Sequence, residues 1–236
     1  MKTKNITHCG ASLNAPEKTL KVSRLHPAPP INADWHKPEW AAISPIKIEK
    51  YMGRKPAHQP ETHARIGYDD DNIYVIFHVK DRFVRAVADR CQGPVWEDSC
   101  CEFFFSPGPD IKAGYFNLEM NCGGTLLLHF SKAAKKDVTE VAATDCMQIE
   151  VAATLPARVD PEITEPTDWS IEYRLPIAIL EKYTKVDRPA PGVTWKANFY
   201  KCGDKTSQPH WLTWSVIDKP EPNFHVPESF GTLEFI

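Results

Sequence analysis

The sequence predicts an all-β protein: a β-sandwich of antiparallel sheets, jelly-roll or immunoglobulin-like, with one or two short helices. Three observations predict it. Apolar and polar residues alternate through a succession of short runs. Twenty-one prolines, against 11 glycines, fall mainly between those runs. Helical patterning is confined to one short stretch and one further turn. Alternation at period 2 marks a strand with one buried face, and proline, lacking an N–H, belongs at the ends and edges of sheets.

TLKVSRL (19–25) alternates and reads as the first strand. PEWAAI (38–43) reads as a helical turn. THARIGYDD (62–70) runs into DDDN and then NIYVIFHVKD (72–81), in which Ile73, Val75, Phe77 and Val79 share a face. Aspartates and an asparagine between two β-rich runs signal a hairpin. CCEFFFS (100–106), YFNLEMN (115–121), GTLLLHF (124–130), MQIEVAA (147–153), DWSIEYRL (168–175) and TWKANFYKCG (194–203) follow as strands, and ESFGTLEFI (228–236) closes the chain. PIAILEKYT (176–184) opens on a proline suited to a first helical position. There is no repeat and no break in composition. The expectation is one domain over residues 19–236 behind an N-terminal tail at 1–18.

Composition excludes several classes. Hydrophobic residues at 42% and charged residues at 25% fit a globular chain that buries its own core. A net charge of -3 and the lack of a dense Lys/Arg stripe argue against nucleic acid as a partner. No apolar run approaches the ~20 residues of a membrane span. MKTKNITHCG lacks an apolar segment, so no signal peptide is expected in the sequence as it stands. That leaves a cytoplasmic location by default, or a periplasmic or extracellular one if a signal has been removed. Seven cysteines without a CxxC spacing read as reduced, mostly buried thiols. HExxH, GxSxG, P-loop and GxGxxG motifs do not occur.

Alternation also sorts the strands into faces. Phe116, Leu118 and Met120 point inward; Tyr115, Asn117, Glu119 and Asn121 point outward. Trp195, Ala197 and Phe199 oppose Lys196, Asn198 and Tyr200. Trp169, Ile171, Tyr173 and Leu175 oppose Ser170, Glu172 and Arg174. A solvated sheet face has the same pattern. Asparagine is a poor strand former, however, so Asn117, Asn121 and Asn198 at outward positions point to a purpose. Amides and carboxylates bond sugar hydroxyls, and aromatic rings stack on the C–H face of a pyranose. Of seven tryptophans, Trp169 and Trp195 alternate with core residues. Trp96, in a loop beside Pro94, Glu97 and Asp98, is a candidate for binding. Trp211 and Trp214 are three apart, so on a strand one faces the core and the other away from it. Glu102 interrupts a phenylalanine run, either as an acceptor for a ligand or as the partner of an Arg or Lys on the next strand.

INADWHKPEW (31–40), YDDDNIYVIFHVKD (68–81), VWEDSCCEFFFSP (95–107), GYFNLEMNCGGTLLL (114–128), DWSIEYRLP (168–176) and NFHVPESFGTLEF (223–235), taken in order, resemble a family 9 carbohydrate-binding module. More narrowly, the chain resembles the stand-alone family 9-like proteins of gut Bacteroidetes, in the DOMON-like superfamily. The likeness runs from about residue 20 to the C-terminus. It implies a non-catalytic β-sandwich whose partner is a mono-, oligo- or polysaccharide. In such modules two tryptophans sandwich a terminal sugar while a glutamate and amides bond its hydroxyls. Carried over, Trp96 matches the first tryptophan, Glu102 the glutamate, and Trp214 the second tryptophan, with Trp211 in reserve. Asn117 and Asn198 match the polar contacts. The structural calcium of the family would fall to Asp69, Asp70 and Asp71, although a hairpin turn explains the same aspartates without a metal and is the preferred reading. The segment 131–167 is longer than the pattern. Two alternatives remain: a glycoside hydrolase using Glu102 and Glu119, and a haem-binding electron-transfer domain using Met120 with His129 or His225.

Overall fold

A computed structural model describes residues 18–236. The expected tail at 1–18, with Cys9, therefore lies outside the described residues except for Lys18. Strand formation follows the alternating runs. In chain order the strands are β1 (Thr19–Arg24), β2 (Ile46–Lys47), β3 (Lys50–Tyr51), β4 (Glu61–Tyr68), β5 (Asn72–Asp81), β6 (Val84–Ala86), β7 (Cys100–Ser106) and β8 (Tyr115–Asn121). They continue as β9 (Leu126–Ala133), β10 (Lys136–Glu140), β11 (Glu150–Ala153), β12 (Val159–Ile163), β13 (Thr167–Pro176), β14 (Thr194–Cys202), β15 (Trp211–Thr213) and β16 (Gly231–Phe235). Helix among the described residues amounts to three four-residue turns, at Pro38–Ala41, Ala143–Cys146 and Ile177–Leu180, plus short 3-10 turns. No helix of the described residues is long and apolar enough to cross a membrane.

Two curled sheets face each other. The first runs β10-β9-β8-β7-β14-β16-β1, with β15 on the end of β14. The second runs β1-β4-β5-β13-β11. Strand β1 belongs to both. Thr19 to Val22 pair parallel with β16, then Ser23 and Arg24 pair parallel with β4. A strand that switches sheets makes a corner of a sandwich. The other ladders are antiparallel. Phe103, Phe105, Phe116, Leu118 and Phe199 of the first sheet meet Val75, Phe77, Ile171 and Tyr173 of the second in one core. Phe77 contacts Phe199 edge-on across the gap, at 6.2 Å between centroids.

Both outer faces are partly covered. On the second sheet, residues 25–43 lay Leu25, Trp35 and Trp40 over Tyr74 and Ile76. On the first, Ile217, Phe224, Val226 and Phe230 lie over Phe104, Tyr115, Leu127 and Tyr200. This explains why every residue of β7 and of β8 is buried.

The aspartates of the β4–β5 hairpin are committed to protein. Asp69 Oδ1 accepts from the N–H groups of Asp71 and Asn72, and Asp69 Oδ2 from the Tyr74 hydroxyl. Asp70 pairs with Arg24 and Asp71 with Arg188. An Asx turn at Asp69 and two surface ion pairs at Asp70 and Asp71 thus account for the three aspartates weighed as calcium ligands in the way a hairpin turn does. Cys100, Cys101, Cys122, Cys146 and Cys202 are buried free thiols, and Cys91 is an exposed one.

Candidate functional site

The covering segment leaves part of the first sheet's outer face open, and a cavity of about 420 Å³ forms there. Its floor is built by alternate residues of adjacent strands: Glu102 and Phe104 from β7, Asn117 and Glu119 from β8, His129 and Ser131 from β9, Cys202 from β14. Its walls include Trp96, Trp211, Asp204 and the stretch 222–225.

Trp96 sits in a 3-10 turn (Val95–Glu97) whose apolar anchor is the buried Val95. The turn is pinned by Asp204 N–H to the Trp96 carbonyl (3.2 Å), Lys205 N–H to the Glu97 carbonyl (2.9 Å) and a Lys205–Glu97 ion pair. Asp98, just after it, accepts from the N–H groups of Val87 and Ala88, from Arg85 and from Asn121 Nδ2. The acids beside Trp96 thus fix the loop, and the indole itself stays 39% exposed. On β15, half-buried Trp211 donates its Nε1–H to Asp204 Oδ1 at 2.7 Å, so one aspartate loop ties both cavity tryptophans.

Trp214 is a correction. Its ring is 2% exposed and packs edge-on against Phe199 in the core, 5.8 Å away. Three residues along, it faces away from Trp211, and the cavity falls to Trp211. Asn198 is a second correction. It does face outward, but its Oδ1 accepts from the N–H groups of Phe199 and Ser215 while its Nδ2 donates to the Ser215 carbonyl. It pins the chain after β15 and does not line the cavity.

The floor is acidic and poorly compensated. Glu102 and Glu119 stand opposite each other in the β7–β8 register. The Cys202 thiol donates to Glu102 Oε1 at 3.0 Å, and Asn117 Nδ2 donates to Glu119 Oε1 at 2.9 Å. The Lys or Arg partner weighed for Glu102 is not among the ion pairs of the described residues. Burial, then the neighbouring Cys202 and Glu119, pushes the Glu102 carboxyl well above the usual range. Burial pushes Glu119 up to about 7, against the Asn117 amide, which lowers it. Three buried atoms of cavity-lining residues, Asn117 Oδ1, His129 Nε2 and Ser131 Oγ, have no hydrogen-bond partner in the protein. Such groups are costly unless a ligand or water meets them.

His129, Asp204 and His225 escaped the sequence reading as sugar-site residues. Only the outward register of His129 could have signalled it; the other two arrive on loops. The haem reading fails on geometry, because Met120 is buried between the sheets while His129 lies on the opposite face of the same sheet. His225 Nδ1 lies 2.7 Å from the Tyr115 hydroxyl. Among the described residues, one group of three potential metal donors lies close together: Cys100, Glu102 and Cys202.

The model of the carbohydrate-binding family 9 matches residues 27–235. The chain belongs to carbohydrate-binding family 9. A solved structure of a candidate carbohydrate-binding protein from Bacteroides uniformis is 32% identical, with a TM-score of 0.83, over 93% of this chain and 100% of that one. A family 9 module from Caldicellulosiruptor kristjanssonii in complex with glucose shares 15% identity at a TM-score of 0.61, over 93% and 96% of the two chains. The same organism's family 9 module in complex with cellotriose gives 15% and 0.59, over 92% and 93%. At that identity the likeness speaks for the sandwich fold alone. No curated protein matches the sequence.

Proposed function

We propose that this family 9 chain binds carbohydrate without cleaving it, holding a sugar between Trp96 and Trp211 over a floor of Glu102, Asn117 and Glu119. The observation that carries this reading is the unpartnered Asn117 Oδ1 beside two under-compensated carboxyls, in a cavity walled by two indoles. Sugar hydroxyls supply the missing donors, and the indoles cover the apolar ring faces. A volume of about 420 Å³ is of the order expected for a small-ligand site. Membership of carbohydrate-binding family 9, whose modules of this fold include ones with glucose and cellotriose bound, supports the same ligand class.

Glu102 and Glu119 favour binding over hydrolysis by their placement. They are side by side on one floor, whereas a glycosidase sets its two carboxyls on either side of the scissile bond. The test is a glycan array probed with wild type, Trp96→Ala and Trp211→Ala, beside an aryl-glycoside assay. Loss of the wild-type hits in both variants supports the site. Unchanged profiles place the sugar elsewhere, and turnover abolished by Glu102→Gln replaces binding with hydrolysis.

A further inference from the structure

Cys100, Glu102 and Cys202 occupy one face of the β7–β14 ladder. Cys100 and Cys202 are direct cross-strand partners, and Glu102, two residues beyond Cys100, projects to the same side. Two Sγ atoms and a carboxylate oxygen all lie within 4.8 Å of one another, on three buried side chains. The hydrogen bonds inside the cluster are weak. Cys100 Sγ reaches the Cys101 carbonyl at 3.8 Å, and the Glu102 carboxyl is met by a thiol, a poor donor. Neither compensates a buried carboxyl as a cation would.

The donor set matches one chemistry. Zinc-type cations take thiolate sulfur at about 2.3 Å and carboxylate oxygen at about 2.0–2.2 Å in a tetrahedron, whose edges are then roughly 3.5–3.8 Å. The three donors lie within 4.8 Å of one another, with Cys202 Sγ 3.0 Å from Glu102 Oε1, so side-chain shifts of about an ångström bring them to that figure, and they stand on paired strands of a packed sheet. Cys202 and Glu102 also line the cavity, so a fourth position would open onto it. Three protein ligands with one open position is the arrangement of zinc sites that take an outside oxygen ligand.

We propose that Cys100, Cys202 and Glu102 form a binding site for a thiophilic divalent cation of the zinc type, its fourth coordination position facing the cavity. Binding displaces two thiol protons and any carboxyl proton, which pass to solvent, with no change in oxidation state. The cation takes Glu102 Oε1 and leaves the second carboxyl oxygen to the cavity. The site does not depend on the sugar reading: the metal titration is run without sugar, and the sugar titration is run in chelator.

The test titrates Co²⁺ into the reduced, chelator-treated chain, then adds Zn²⁺ as competitor. The expected result is a thiolate-to-cobalt charge-transfer band saturating at one equivalent, discharged by Zn²⁺, absent in Cys202→Ser and intact in Cys91→Ser. No band in wild type, or a band that survives Cys202→Ser, overturns the proposal. A Cys100–Cys202 disulfide in protein purified without reductant overturns it too. Where Cys202→Ser does not fold, alkylation of wild type mapped by peptide decides. Zn²⁺ must then slow labelling of Cys100 and Cys202 but not of Cys91, and equal rates refute the site.

Discussion

Glu102 on β7 and Glu119 on β8 are directly opposed across an antiparallel ladder, and both line the same cavity. Like charges in that position repel, and neither carboxyl is met by a cation there. The pair is tolerated because burial favours the protonated forms.

A pH dependence of stability follows. Burial lifts Glu119 from 4.5 to about 7, so the folded chain holds a proton between those values that the unfolded chain has released. Stability therefore falls as pH rises through that window, is unaffected below it, and carries the full penalty above it. A shift of this size is worth roughly 3 kcal/mol. Glu119→Gln is expected to flatten the fall and to raise the thermal midpoint at about pH 8 while leaving it unchanged near pH 4. An unaltered slope in the variant would show that Glu119 titrates normally.

Trp96 and Trp214 should separate binding from folding. Trp96→Ala removes an exposed ring whose loop is pinned by backbone bonds, so the thermal midpoint holds. Losing one stacking face, at about 1 kcal/mol or somewhat more, weakens glycan binding roughly tenfold. Trp214→Ala empties a core site against Phe199 and costs about 3–5 kcal/mol. Calorimetric titration and chemical denaturation read the two effects. A Trp214→Ala protein with full stability and no sugar binding would return that residue to the clamp.

The sandwich was legible because period-2 alternation reports which residues share a face. What covers a face was not legible. CCEFFFS and YFNLEMN read as strands with one face turned outward, and they are such strands, but a segment about a hundred residues later buries that face. Glu102 and Asn117 sit at the opening in this cover. Asn121 and Asn198 sit on the same outward face and are consumed by backbone and Asp98 contacts. Asparagine on a strand was a sound signal of purpose, but alternation could not tell a ligand contact from a structural pin. Trp211 and Trp214 show the same limit: spacing predicts opposite faces, and only the packing of β15 on β14 says which one faces the cavity.

Asn117 and Asn198 give a second separation. Asn198→Ala orphans the N–H groups of Phe199 and Ser215 and the Ser215 carbonyl, with an expected loss of about 2 kcal/mol. Asn117→Ala removes an acceptor that has no protein donor and one hydrogen bond, the amide donation to Glu119 Oε1, so stability falls by about 1 kcal/mol, less than in Asn198→Ala, and sugar affinity drops. Denaturation midpoints and titrations on the two variants check both halves, and a reversed pattern would exchange their roles.

Glu172 is the strongest test of how the second sheet's outer face is closed. Alternation placed it outward with Ser170 and Arg174, yet it is fully buried. Its Oε2 accepts from the N–H groups of Asn32 (3.0 Å) and Ala33 (2.8 Å), and its Oε1 from Trp40 Nε1 (2.8 Å) and Lys37 Nζ. One carboxylate thus fastens the INADWHKPEW segment to the sheet. Glu172→Ala leaves buried Lys37 unpaired, and removing one partner of a buried ion pair costs about 3–5 kcal/mol. Replacing both charges by methionine is often neutral at an isolated pair. Here the Lys37→Met/Glu172→Met double variant should recover only part of the loss, because the donors of Asn32, Ala33 and Trp40 stay orphaned. Denaturant midpoints give the energies, and faster amide exchange at Asn32 and Ala33 in both variants locates the release. Full recovery in the double variant would mean that the ion pair alone, and not the carboxylate's grip on the segment, holds this face shut.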